Sequence, residues 1–213
     1  MSYQPEKRSV IYPENDSNHT IKSARVKLEA ELDKAVCDIY GFTIEQRDLI
    51  RDCCEVTLPN FYKPKECFGV SAIIGSEDLN WIRSYAEIFS KRWQPYLEDN
   101  EVLRAKVHLG ASNTMLAFEF YPTAKNDNWD LKPDISSWQQ LLSDLSKSLR
   151  KEWGSSQILL EGIVLAITDI SIIILKRNEK QFWTRSLARE DAESTLNIRM
   201  MQTMPNKEIT NNA

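Results

Sequence analysis

Arg104-Ala105-Lys106-Val107-His108-Leu109, followed past Gly110 and Asn113 by Met115-Leu116-Ala117-Phe118-Glu119-Phe120-Tyr121, is the stretch that decides the fold class. Ala105, Val107 and Leu109 alternate with three basic or imidazole side chains, the period of a strand with one face in a core. Gly110 and Asn113 supply turn chemistry, so the two runs read as an antiparallel pair.

Upstream the period is helical. Ala24, Leu28, Leu32, Ala35, Val36 and Ile39 recur at steps of three and four, with Gly41 placed to close that helix. Thr43 and Gln46 form a capping box for a second helix carrying Leu49, Ile50 and Cys53. Pro59, Phe61, Tyr62 and Pro64 predict a loop. Ser76 caps a third helix, with Leu79, Ile82, Ala86, Phe89 and Trp93 on one face and Pro95 at its end.

Downstream, Ser136 and Gln139 form another capping box, before Leu141, Leu142, Leu145, Leu149 and Trp153. Ile158–Ile167 and Ile170–Leu175 predict two further strands, Lys176–Thr184 an exit loop, and Leu187 to about Met201 a last helix. Helices followed by strand-strand-helix-strand-strand-helix give an α+β fold with an antiparallel sheet covered by helices. The expected organisation is a flexible leader over 1–20 and one domain over 21–202, with a helical front (21–97) and a sheet part (101–202). A disordered tail over 203–213 completes it.

The chain of 213 residues is 42% hydrophobic and 27% charged, enough for a real core, and its formal charge is -4. Against that acidity, the segment from Lys176 to Arg189 holds Lys176, Arg177, Lys180, Arg185 and Arg189 with Glu179 as its one acid. That is a local +4, which leaves -8 elsewhere. A cationic strip with Phe182 and Trp183 where strand gives way to helix suits a phosphate backbone. The competing readings are structural: Lys176 and Arg177 blunt a strand end, Arg185 pairs with Asp191, and Phe182 and Trp183 wedge the last helix against the sheet. Trp81, Trp93, Trp138 and Trp153 fall on apolar helix faces or at their ends, where core packing is the default.

Catalytic chemistry finds little footing. Six glycines with no Gly-rich turn after a strand exclude Rossmann and P-loop cradles. His19 lies in the leader, and His108 reads as an exposed or capping residue. Glu119, Glu161 and Asp169 fall on or beside strands as a metal-dependent nuclease needs, but without the Glu-x-Lys element of that chemistry. Cys37, Cys53, Cys54 and Cys67 make no Cys-x-x-Cys pair, so no metal or cofactor is expected. Reduced thiols, the lack of a signal peptide and no apolar run of the ~20 residues that span a bilayer give a cytoplasmic expectation.

Two segments resemble a known family. Ile172-Ile173-Ile174-Leu175-Lys176-Arg177-Asn178-Glu179-Lys180-Gln181-Phe182-Trp183-Thr184-Arg185-Ser186, continuing to Asp191-Ala192, is similar to the carboxy-terminal end of bacterial adenine-specific DNA methyltransferases of restriction and phage-defence loci. Those ends carry a strand, a Lys-Pro-Asn-like turn, an aromatic-Trp-Thr-Arg core and an Asp-Ala-containing helix. Ala35-Val36-Cys37-Asp38-Ile39-Tyr40-Gly41-Phe42-Thr43-Ile44-Glu45 resembles a segment that follows the target-recognition region of such enzymes. The order of the two agrees, placing the likeness over about Ile21 to Met201. The chain lacks the family's Asn-Pro-Pro-Tyr element, for which Leu58-Pro59-Asn60-Phe61-Tyr62 is no substitute, and its Gly-rich methionine-cofactor loop. Arg177 stands where the family's turn has proline.

The resemblance therefore implies a non-enzymatic accessory or recognition subunit of a DNA-modification or anti-phage system, without the catalytic domain. Its expected partners are DNA and a separately encoded defence or modification protein. Lys176, Arg177, Lys180, Arg185 and Arg189 would neutralise phosphates while Trp183 stacks or anchors. On that expectation, reversing Lys180 and Arg185 to Glu abolishes DNA binding and leaves the fold intact. The alternative is a protein-binding adaptor or oligomerising subunit, homo-oligomers included, that makes no DNA contact.

Overall fold

The structure is a computed structural model that describes residues 16–63, 68–73, 78–110, 112–125, 131–152, 164–168 and 170–203. The leader to residue 15, the tail from 204, Trp153, Glu161, Asp169 and Cys67 lie outside the described residues, as do Ser76 and residues 158–163 of the predicted strand. By internal contacts the chain forms two compact units, Met1–Arg47 and Asp48–Ala213.

The first unit holds α1 (Asp16–Ile39) and the start of α2 (Ile44–Asp52). Gly41 closes α1 in the left-handed region at φ +66°, where a side chain would be strained. Phe42 N–H then donates back to Cys37 O at 3.0 Å. The capping box of α2 forms as read: Thr43 N–H donates to Gln46 Oε1 at 2.9 Å, and Gln46 N–H to Thr43 Oγ1 at 3.3 Å. Arg47 ties the two helices by donating to Phe42 O and pairing with Asp38 at 2.7 Å.

In the second unit α2 runs on through a π-helical turn (Cys53–Thr57) into α3 (Leu58–Tyr62), where a loop is predicted. Pro59 lacks the N–H that an uninterrupted helix would bond, and it stands directly after the π-helical turn, where the hydrogen-bond register changes. Cys53 and Cys54 are free thiols. α4 (Leu79–Trp93) precedes the hairpin β1 (Glu101–Leu109) and β2 (Met115–Ala124). A two-residue β3 (Pro133–Asp134), α5 (Trp138–Glu152), β4 (Val164–Ile167), β5 (Ile172–Arg177) and α6 (Arg185–Thr203) follow. The predicted capping box of α5 is replaced by a turn in which Ser136 N–H and Oγ both donate to Asp134 Oδ1.

The sheet order is β3-β1-β2-β5-β4. The hairpin, β2 with β5 and β4 with β5 are antiparallel, but β3 runs parallel to β1. The expectation of a purely antiparallel sheet is thus corrected to a mixed one. α4 and α6 bury one face, on Phe118, Phe120, Ile172 and Ile174, and α5 the other, on Ala117, Ile173 and Leu175. Coverage on both faces explains why Ile172–Leu175 is apolar without alternation.

Candidate functional site

The cationic strip of the second unit turns inward. Lys176, at the end of β5, is 1% exposed. Its Nζ donates to the Asp191 carboxylate on α6 and to Phe182 O, and the Tyr85 hydroxyl donates to the same carboxylate. Burial lowers the Lys176 pKa against the pull of Asp191, and burial, with Asp191 beside it, raises that of Tyr85 well above its ordinary value. Lys180 pairs with Asp78 at 2.7 Å and lies 3.8 Å from the centroid of the Phe68 ring.

Arg185 and Arg189, one turn apart on α6, meet acids one turn apart on α2 and its continuation. Arg185 reaches Asp52 at 3.0 Å and Glu55 at 3.1 Å, and Arg189 pairs with Asp48. Asp52 Oδ2 also accepts from Ser186 N–H and Oγ, both at 2.7 Å, and so stabilises the amino end of α6 from a distant helix. Arg185 is not the partner of Asp191, as the sequence reading had it; Lys176 is.

Trp183 is 1% exposed, donates through Nε1 to Arg177 O at 2.9 Å, and packs edge-on to Tyr85 with centroids 5.0 Å apart. It is the wedge beneath α6. Of the six residues read as a nucleic-acid site, Arg177 alone is exposed. The solvent-facing cations on which a phosphate contact depends are therefore not present as a group, because each of the other four is held by carboxylates of the chain itself.

Sequence reasoning passed over the anions of this lattice and Asn178. That residue is 2% exposed: its Oδ1 accepts from Ile73 N–H, and its Nδ2 donates to Ile73 O and Asn113 O. The available signal was the spacing Asp48, Asp52, Glu55, an acidic stripe complementary to Arg185 and Arg189.

His108, read as exposed or capping, is 4% exposed beneath the start of α5. Glu119 can only accept, so His108 Nε2–H donates to it at 3.3 Å and Nδ1 accepts from Ser137 Oγ at 2.7 Å. The bond from His108 holds the Glu119 pKa below the ordinary carboxylate range, and burial opposes it. Among the described residues no group of three or more His, Cys, Asp or Glu is placed to hold a metal ion, and no helix is long and apolar enough to cross a membrane.

The first unit presents the opposite picture. Leu28 is 65% exposed, Leu32 64% and Ile39 82%, with Val36 and Tyr40 open beside them. Leu28, Leu32, Ala35 and Ile39 are spaced four, three and four, a seam that faces one side of α1. No family model, curated protein or solved structure matches this chain.

Proposed function

We propose that the chain is a non-enzymatic, partner-binding subunit that engages a helix of a separately encoded protein through the apolar seam of α1. The observation that carries this reading is the run of large apolar side chains, Leu28, Leu32 and Ile39, each more than half exposed on one helix. Contiguous apolar surface of this kind marks interaction sites, and a three-four spacing is the one that a second helix fills by knobs-into-holes packing. Taken with the sequence resemblance, the partner belongs to a DNA-modification or phage-defence assembly. Phosphate contact by the carboxy-terminal strip is not favoured, since four of its five cations are paired with the chain's own carboxylates.

The test is a co-purification of the chain with each of the proteins encoded by its neighbouring genes, sized by light scattering. A defined complex is expected with the unaltered chain. Each apolar side chain contributes about 1.5–3 kcal/mol on full burial, so Leu28→Glu with Leu32→Glu lowers the affinity by roughly 100-fold or more. Both positions are exposed, and the circular dichroism spectrum should not change. A complex that survives both substitutions would refute the seam as the contact, and a homodimer lost with them would identify a second copy as the occupant.

A further inference from the structure

In the second unit, a cleft of about 400 Å³ opens where the end of α4, the open end of the β1–β2 hairpin and the last turns of α6 meet. Its floor is made of core residues, Trp93, Leu103, Phe120 and Leu196, each under a tenth exposed. Its rim is apolar as well: Tyr96 is 56% exposed, Ile170 77% and Met200 41%. A closed core would hide such side chains, so the rim extends the apolar floor to solvent. The Thr168 hydroxyl at its edge is engaged by the backbone, lying 3.0 Å from its acceptor Ser171 O and accepting from Ser171 N–H at 2.9 Å.

The charges at the mouth select the ligand. Glu98 and Glu101 border the cleft and form no ion pair among the described residues. Among the described residues the one cation that lines it, Arg199, already has an interaction within the protein. Trp93 and Tyr96 add aromatic surface, whose ring faces attract cations as carboxylates do, whereas the Phe120 ring beneath is stacked on Phe89 and Phe118. Trp93 is held in place by donating through Nε1 to Thr195 Oγ1 at 3.0 Å, with the Tyr96 ring edge-on to it at 6.5 Å. We infer that this cleft binds a small organic cation: an apolar aromatic or alkyl body held between Trp93, Tyr96, Ile170 and Met200, with an ammonium group turned toward Glu98 and Glu101.

Three probes with the same ring separate the contributions: 1-naphthylmethylammonium, 1-naphthylmethanol and 1-naphthaleneacetate. They are titrated into the full ¹⁵N-labelled chain while the Trp93 indole N–H, assigned by Trp93→Phe, is followed by NMR. The cation is expected to shift that resonance saturably and to bind about 10-fold more tightly than the alcohol, from two rim carboxylates and ring contact. Glu98→Gln with Glu101→Gln, both off the core, should abolish that margin while the alcohol binds as before. No saturable shift at Trp93, equal binding of cation and alcohol, or tighter binding of the acetate would each overturn the assignment.

Discussion

Lys176 is an ammonium group with almost no access to water, and it exists in the core because Asp191 and Phe182 O replace its hydration. Removing one member of a buried ion pair leaves the other uncompensated, at a cost of about 3–5 kcal/mol. Asp191→Ala is therefore expected to lower the urea midpoint sharply. Lys176→Met combined with Asp191→Leu should recover most of that loss, but not all, because the Tyr85 hydroxyl is left without its acceptor. Equal stability of the single and double variants would show that the pair is not what holds β5 to α6. The second residue-scale case is Glu119. Its folded-state pKa lies below its unfolded one, so its contribution is complete above the unfolded pKa and is lost as pH falls through the folded value. Urea midpoints measured through the acid range should fall less steeply for Glu119→Gln than for the unaltered chain. Parallel curves would remove the His108 contact as a source of acid sensitivity.

At the scale of elements, α6 is fastened along its length by side chains of matching period. Arg185 and Arg189 face Asp52 and Asp48, an antiparallel arrangement of i,i+4 pairs, and Asp52 also serves the first turn of α6. Asp52→Ala removes an ion pair and a helix cap together and should cost about 2–4 kcal/mol by urea titration. Asp48→Arg should destabilise by about 1–3 kcal/mol, and adding Arg189→Asp should restore much of it. No rescue in the exchanged pair would mean that Arg189 acts through packing rather than charge. On the same logic, Lys180→Glu with Arg185→Glu weakens the fold itself, contrary to the expectation of a surface change that leaves it intact. This is also where the sequence was least legible. Helix seams, the capping box at Thr43 and the β1–β2 alternation depend on neighbours within four residues, and each was visible. The charge partners of Arg185 and Arg189 lie more than a hundred positions away, so a run of five cations read as a free surface. β3, two residues long and parallel, has no period to detect. His108 was misjudged because alternation marks which face a residue occupies, not whether a helix later covers that face.

For the whole molecule, the contrast between the two units is what the proposed function depends on. Asp48–Ala213 carries both core clusters and the ion-pair lattice, whereas Met1–Arg47 carries the exposed seam. If those are separate tasks, they should separate experimentally. A chain starting at Thr43 keeps the Thr43–Gln46 capping box, the whole of α2 and the acids that meet α6. Its unfolding should remain cooperative, with a Tm within about 2–4 °C of the full chain, the shift expected for roughly 1 kcal/mol in a domain of this size. The partner complex should be lost, because Leu28, Leu32 and Ile39 are gone, while the Trp93 resonance should still respond to 1-naphthylmethylammonium. Retained partner binding would relocate the interface to the second unit. A truncated chain that unfolds without cooperativity would show instead that α1 contributes to the fold, and its exposed leucines would then need another explanation than a waiting partner.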